Sequence, residues 1–351
     1  MKRMLKSKMI SIVLSSILVV SLSALLGCGG DMYDEYSEEY DPYMMAEDEY
    51  EEEYEEEYEA YEDYEDYDEY VPEQEESYED YYEGYFPGVR GCDPSIFGKH
   101  GSASEVEGTT VIVSIFANDL ESCWTENDAN LMYDMKNYLG IACDWITDQV
   151  ASYGTNANFI YDWEQHEDLY YEADIDYTVL SGNDDERIGY GYECIDGTID
   201  SNTIMSNYSA DNIVYMIFIN TPSDFDKTSF AATYYQDVEY PYEFCYIYAH
   251  IDGWKECPGG IAHEILHTFG TPDLYCADTD GYNCGVTEEL VKYYEDTNSN
   301  DIMFTTYDCI TDDAYYDKIT NELSELDAYY IGITDHSDTV AEWGLSPSEH
   351  E

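Results

Sequence analysis

The chain has 351 residues, enough for one large domain or two small ones. Its 12 basic and 80 acidic side chains give a formal net charge of −68. Such a charge repels phosphate backbones and anionic lipid headgroups, which argues against nucleic acid as a partner. The same charge attracts cations and basic polypeptides, although it is equally consistent with a surface that only keeps the protein soluble.

The N-terminus has the pattern of a bacterial lipoprotein signal peptide. A basic start precedes an apolar stretch, Met9–Leu26, which ends just before Gly27 and Cys28. We therefore predict a signal peptide at residues 1–27 and an extracytoplasmic protein anchored to the cell membrane by lipid on Cys28. An uncleaved membrane-spanning anchor and an ordinary secretory signal are the alternatives.

The segment 28–90 is predicted to be a disordered spacer behind the lipidated cysteine. From residue 31 to about 87 it consists almost wholly of Glu, Asp and Tyr, so burial cannot offset the entropy of ordering the backbone. Tyrosines recur at three- or four-residue spacing from Tyr50 to Tyr70, but on a helix the Glu residues between them would stack as like charges. Self-repulsion favours an extended chain, and a cation- or partner-binding arm is the alternative.

Residues 91–345 are predicted to fold as an α+β domain. Apolar runs and helical spacing predict, in chain order, a strand over 110–116, a long helix over about 126–152, strands over 157–163, 212–220 and 243–250, and a helix after Pro258-Gly259-Gly260. This order of elements indicates a mixed sheet with one long helix and one active-site helix.

The last of these helices carries the motif HEILH. Residues four apart lie on one face of a helix, so His263 and His267 can bind one metal ion. Glu264 can take a proton from a water activated by zinc and later deliver it to the leaving amine. Gly270 permits a sharp turn, after which Asp273 can return as third ligand and leave one position open for water, as in catalytic zinc sites.

The run HEILHTFGTPDLY, residues 263–275, resembles the extended motif of metzincin-type zinc peptidases that carry Asp as third ligand. Its ending resembles immune inhibitor A-like secreted bacterial peptidases, and also snapalysin-like enzymes. Asn300–Met303 resembles the Met-turn beneath the metal in metzincins, with Met303 as its methionine, and Leu326–Gly332 resembles the helix that follows the active site. The resemblance implies a zincin-like zinc endopeptidase whose cleft lies between a sheet subdomain and a smaller C-terminal subdomain.

Several residue roles have alternatives. The His that is the usual third metzincin ligand is absent, so Glu322 or Glu325 is an alternative to Asp273. Tyr307 or Tyr275 is a candidate hydrogen-bond donor to the developing oxyanion. A second candidate cofactor is Ca²⁺, because residues 278–283 place oxygen ligands at alternate positions; a plain Asp-rich turn is the alternative.

The ten cysteines leave nine once Cys28 is assigned to the lipid. In an exported protein these are expected to form disulfides, with Cys276 and Cys284 a candidate pair that closes the Asp-rich turn. Nine is an odd number, so one thiol is left for another use. Cys92 lies in a run, RGCDP, that resembles the cysteine latch of latent metzincins, and a disulfide is its simpler interpretation.

These features predict a surface-anchored zinc endopeptidase with Glu264 as general base and protein or peptide substrates. Two other classes of protein remain open. One is a non-catalytic binding protein on a zincin scaffold, and the other is a lipoprotein that scavenges zinc.

Overall fold

A computed structural model describes Phe97 and residues 101–162, 165–179, 182–234, 240–279, 283–311 and 313–348. All of these lie in the second of two compact units, Phe86–Glu351. The predicted signal peptide, Cys28, the acidic spacer and Cys92 lie outside the described residues. Within the described ranges, no helix combines the length and the apolar character that crossing a membrane requires.

Six strands form one mixed sheet. They are β1 (Gly108–Asn118), β2 (Ala157–Ile160), β3 (Tyr170–Asp174), β4 (Asn212–Ile219), β5 (Phe230–Ala232) and β6 (Phe244–Tyr248). The strand order is β2-β1-β4-β6-β5, and β3 also pairs with β1. All pairs are parallel except β5 with β6, so β5 is an antiparallel strand at one edge of the sheet. A small hairpin follows, formed by β7 (His250–Ile251) and β8 (Trp254–Lys255).

The described residues contain seven α-helices. They are α1 (Ala129–Ser152), α2 (Asp184–Thr198), α3 (Ser201–Tyr208), α4 (Pro258–His267), α5 (Glu288–Thr297), α6 (Glu325–Tyr330) and α7 (Asp338–Trp343). Short 3₁₀ turns at Glu126–Asp128 and Glu167–Leu169 precede α1 and β3. The chain is thus a mixed α/β protein with a mixed sheet, as the order of predicted elements indicates.

Both faces of the sheet are buried, which explains why β4 reads as a continuous apolar run. Alternate β4 residues contribute to two separate hydrophobic clusters. Met216 and Phe218 pack in the cluster that contains α1 and α4, whereas Tyr215 and Ile217 pack in the cluster that contains α2 and α3. The chain after α4 adds to the first cluster, so its elements stand on the same side of the sheet as the motif helix.

The strongly patterned elements of the sequence are confirmed with shifted ends. The predicted strand at 110–116 is longer in the structure, and the strand at 157–163 is shorter because pairing with β1 ends at Ile160. The motif helix begins at Pro258, so Gly259 and Gly260 lie inside its first turn and not before it. The short strands β3 and β5 and the helices α2, α3 and α5 to α7 are not predicted by apolar periodicity.

The expected disulfides are wrong for the described cysteines, all eight of which are free thiols. Cys143 and Cys245 pack in one core cluster and Cys194 in the other, so the sheet separates them. The candidate pair is also unformed: Cys276 Sγ lies 3.9 Å from Asp273 Oδ2, and Cys284 contacts the Tyr330 hydroxyl. The five cysteines just named are thus small side chains of the core or of the cleft wall.

Candidate metal centre

The first turn of α4 is packed closely enough to require its two glycines. A Cβ on Gly259 would lie 2.6 Å from the carbonyl oxygen of Thr306, and a Cβ on Gly260 would collide with the carboxylate of Glu256. Cys257 caps the helix, because its Sγ accepts from the N–H of Gly260 at 3.4 Å. The Gly-Gly pair therefore lets the motif helix approach the turn beside it.

The two motif histidines and Asp273 meet at one point. The Nε2 atoms of His263 and His267 are 3.0 Å apart, and the Oδ1 atom of Asp273 is 3.2 Å from each of them. Among the described residues, these three are the group of His, Cys, Asp and Glu side chains whose ligand atoms can hold one metal ion. The predicted set of metal ligands is thus assembled in space.

Hydrogen bonds on the far side of each imidazole determine what this meeting point can bind. His263 Nδ1 lies 3.0 Å from the carbonyl oxygen of Ile302, and His267 Nδ1 lies 2.7 Å from that of Thr271. A carbonyl can only accept, so both Nδ1 atoms carry the proton, and a neutral ring then has a bare Nε2. When both rings are neutral, two bare nitrogens and a carboxylate oxygen converge, and either a proton or a metal cation between them relieves their repulsion.

The electrostatics of the centre point the same way. Burial lowers the pKa of His267, but the Asp273 carboxylate outweighs burial and raises this pKa to about 9. Burial raises the pKa of Asp273, but His267 and His263 outweigh it and hold this pKa below its usual range. Positive charge is therefore favoured where the three ligand atoms meet.

The end of α4 returns the chain to the metal centre. Gly270 has φ = 100°, a left-handed conformation that suits glycine. The N–H of Thr271 bonds to the carbonyl of Leu266 at 3.4 Å and that of Gly270 to the carbonyl of His267 at 2.9 Å, the two bonds of a Schellman ending. This turn brings the Thr271 carbonyl back onto the His267 ring, and Asp273 follows two residues later.

Asn283 fixes the backbone that carries Asp273. Its Oδ1 accepts from the N–H of Asp273 at 2.7 Å, and its Nδ2 donates to the carbonyl oxygen of Asp273 at 3.0 Å. The same Nδ2 also donates to the carbonyl of Cys276 at 3.2 Å. The Asn283 side chain, a candidate calcium ligand in the sequence, thus supports the candidate third metal ligand, while residues 280–282 of that loop lie outside the described residues.

Replacing Asn283 by Ala removes both hydrogen bonds to Asp273 without touching a ligand. We expect a ~10- to 100-fold weaker zinc affinity, the usual effect of losing a residue that orients a metal ligand. Competition with a chromogenic chelator measures it. Asn283→Asp is the matched comparison, because it keeps the acceptor and loses the donor. An unchanged dissociation constant in Asn283→Ala would show that the loop holds Asp273 without this residue.

The turn at Asp301–Phe304 makes hydrogen bonds both to the motif helix and to the segment that follows Asp273. The carbonyl of Ile302 accepts from His263, and that of Met303 accepts from the N–H of Leu274 at 3.0 Å. The N–H of Met303 donates to Asp301 Oδ1 at 2.7 Å, and the Met303 side chain is fully buried. The structure therefore places the predicted Met-turn against the motif helix and against the chain that carries Asp273.

A pair of buried carboxyl groups anchors this turn. Asp301 lies next to Asp327. The Oδ2 atom of Asp327 accepts from the N–H of Ser324 at 2.9 Å in the capping box of α6. Burial and the neighbouring carboxylate raise the pKa of Asp327, and burial raises that of Asp301 to about 6. The raised pKa values favour protonation of one of the two acids, which would remove their repulsion.

Glu264 lines a cleft of about 460 Å³ together with the three ligand residues. Its side chain is 7% exposed, and its Oε2 has no hydrogen-bond partner. Burial raises the pKa of Glu264, although His263 and His267 oppose this shift. A carboxylate with a free oxygen in a buried cleft beside a metal centre suits proton transfer.

Of the two candidate oxyanion donors, the structure places Tyr275 in the cleft. The Tyr275 ring stacks on His263 with centroids 6.1 Å apart, and burial followed by the charge of Asp273 raises its pKa. Tyr307 is absent from the described lining of the cleft, and its backbone carbonyl accepts from Asn321 at 3.0 Å. Tyr275 follows the third ligand by two residues, which is the signal in the sequence that favours it.

The alternative third ligands do not reach the centre. Glu325 Oε1 accepts from the N–H of Thr339 at 3.2 Å and from its hydroxyl at 2.6 Å. Glu322 is exposed, and its backbone carbonyl accepts from the N–H of Ile302 at 3.0 Å. Neither belongs to the metal-binding group found among the described residues. His250 is satisfied by the carbonyl of Thr221 at 2.9 Å and lies outside the lining of the cleft.

Comparison with known proteins adds nothing to this geometry. No protein-family model matches the chain, and no curated protein sequence is significantly similar to it.

Proposed function

We propose that this chain is a zinc-dependent endopeptidase with a metzincin-like fold, related to the peptidases that use Asp as third ligand. One observation carries the proposal: the Nε2 atoms of His263 and His267 and the Oδ1 atom of Asp273 converge within 3.2 Å of one another. The motif resemblance at residues 263–275 and the buried turn at Met303 support it.

The donor set fits zinc. Two imidazole nitrogens and one carboxylate oxygen are a common catalytic zinc set, and three protein ligands leave a position open to the cleft. A structural zinc site usually has four protein ligands. Cys276, another possible ligand, lies beside Asp273 Oδ2 and is not in the group of converging atoms.

The residues around the centre divide the work of peptide hydrolysis. Bound zinc supplies a Lewis acid and lowers the pKa of water toward neutrality. Glu264 takes the proton of the attacking water on its free Oε2 and passes it to the leaving amine. The Tyr275 hydroxyl is the candidate donor to the oxyanion that develops on the scissile carbonyl. The ring contacts of Ile302 and Thr271 keep both Nε2 atoms available throughout.

The cleft also indicates the substrates. None of its described lining residues is Lys or Arg, whereas Asp278 adds an acidic group beyond the centre. Basic peptides are therefore the favoured class. The proposal includes an acidic spacer before the enzyme domain and a lipid anchor on Cys28 outside the cytoplasm, which the signal-like sequence at residues 1–28 supports.

Metal removal tests the proposal. A chelator should abolish hydrolysis of a mixed library of internally quenched peptides by the purified full chain, and one equivalent of Zn²⁺ should restore it. Mg²⁺ at the same concentration is the control, since it prefers an all-oxygen octahedral site. Zinc binding with no hydrolysis of any peptide would identify a zinc-scavenging protein, and no zinc binding would indicate a non-catalytic scaffold.

A further inference from the structure

A buried carboxyl group that belongs neither to the metal-binding group nor to the proposed proton transfer lies just before the motif helix. Glu256 immediately precedes the helix cap Cys257 and is 6% exposed. Its Oε1 accepts from the N–H of Cys257 at 2.9 Å, and its Oε2 accepts from the hydroxyl of Ser229 at 2.6 Å. Both carboxyl oxygens therefore have donors, and although these hydrogen bonds lower the pKa of Glu256, burial outweighs them and raises it to about 7.

Ser229 connects this carboxylate to the wall of the cleft. It comes directly before the edge strand β5, and its hydroxyl oxygen also accepts from the N–H of Tyr248 on β6 at 3.1 Å. Ser229, Phe230 and Ala231 all line the cleft. The hydrogen bond from Ser229 to Glu256 thus joins the residue before the edge strand to the residue before the cap of the motif helix.

The edge strand needs such a link because it is short. β5 has three residues and pairs only with β6, from Phe230 opposite Tyr246 to Ala232 opposite Phe244. A strand with one neighbour and few ladder bonds opens easily. Gly260 keeps the space for the Glu256 carboxylate, since a Cβ there would collide with it. Glycine at position 260 is therefore needed for the Glu256 carboxyl group to occupy this place.

We propose that Glu256 and Ser229 form a buried latch that sets the distance between the edge strand and the metal centre, and so positions an extended peptide for hydrolysis. Glu256 is a positioning residue, because it acts on substrate through Ser229 and β5. Among the described strands β5 pairs only with β6, so an extended peptide can bond to its other edge, and such a peptide reaches Glu264 only if the strand stands at the right distance. The positioning of a substrate rests on the proposed peptidase function. The hold of Glu256 and Ser229 on β5 does not depend on that function.

Steady-state kinetics on a long and a short peptide tests the positioning role. In Glu256→Ala and in Ser229→Ala we expect a ~10-fold higher KM for a decapeptide that spans β5. The KM of a tripeptide that is too short to reach β5 should stay within about 2-fold, and zinc stoichiometry should be unchanged. Glu256→Gln keeps an acceptor for Cys257 and a polar partner for Ser229, so it should restore the KM of the decapeptide to within about 3-fold.

A double-mutant cycle shows whether the two residues act through one link. The Glu256→Ala/Ser229→Ala double variant should have about the same KM as either single variant, because the link is already lost. Multiplicative effects of the two substitutions would overturn the latch. An equal rise in KM for the long and the short peptide would overturn the positioning role, since general loss of structure acts on both substrates.

Hydrogen exchange separates this inference from the proposed function. The amides of Phe230–Ala232 should exchange at least about 10-fold faster in both Ala variants, with or without catalysis. Unchanged exchange in β5 would overturn the latch. If the wild-type chain hydrolyses no peptide, the peptidase proposal fails, while the exchange rates still decide whether Glu256 holds the strand. Should Glu256→Ala fail to fold, Ser229→Ala carries the same test.

Discussion

Replacing Glu264 by Ala should abolish peptide hydrolysis while zinc remains bound. The Glu264 carboxylate is buried, lines the cleft beside both histidines, and keeps one oxygen without a hydrogen-bond partner. Loss of a general acid–base group of this kind lowers kcat/KM by roughly 10²- to 10⁴-fold. The ligand atoms are untouched, so the zinc stoichiometry should equal that of the wild type.

Two measurements on the same preparation check this result. Peptide hydrolysis is followed by fluorescence, and metal content by elemental analysis of the dialysed protein. Glu264→Gln is the matched variant, because it keeps the size of the side chain and loses its proton-accepting charge. Near wild-type hydrolysis by either variant would rule out Glu264 as the base, even if zinc is essential.

Replacing Asp273 by Ala should remove the third metal ligand. Losing a residue that merely orients a ligand weakens metal binding by ~10- to 100-fold, so losing the ligand itself should exceed about 100-fold. The two Nε2 atoms remain, but the carboxylate that offsets the charge of the metal is gone. Hydrolysis at limiting zinc should fall with the affinity, and excess zinc should restore it only in part.

Glu322→Ala and Glu325→Ala are the matched controls for this variant. Each removes one of the carboxylates that the sequence leaves open as an alternative ligand. Both should bind zinc with wild-type affinity, because Glu322 is exposed and Glu325 bonds to Thr339. If either control lost zinc affinity strongly while Asp273→Ala bound zinc with wild-type affinity, the third ligand would be Glu322 or Glu325 and not Asp273.

The parts of the fold that sequence predicts well are those with strong apolar patterns. β4 and α1 stand out because burial on both faces of a strand, or along one stripe of a long helix, imposes a composition that is visible in the chain. β5 has only the residues Phe-Ala-Ala, too short for any periodicity, and it becomes a strand through pairing with β6. Apolar periodicity therefore does not predict β5, the edge strand beside the cleft.

The candidate site also has parts that the sequence predicts and parts that it does not. The ligands His263, His267 and Asp273 are predictable, because helical spacing and the turn at Gly270 bring together residues that are close in the chain. The groups that orient them are not, since the Ile302 and Thr271 contacts use backbone carbonyls, which every residue has. Asn283 is a candidate calcium ligand in the sequence because it ends an Asp-rich run, whereas in the structure its amide bonds to the Asp273 backbone.

X-ray absorption at the zinc edge of the purified full chain tests the central claim most directly. The ten cysteines make sulfur a real competitor for the metal. If His263, His267 and Asp273 hold the ion, the spectrum should show imidazole nitrogens at about 2.0–2.1 Å and oxygen at about 2.0–2.2 Å, with no sulfur. Scattering from sulfur at about 2.3 Å, or the absence of stoichiometric zinc, would contradict a catalytic zinc centre at these three residues.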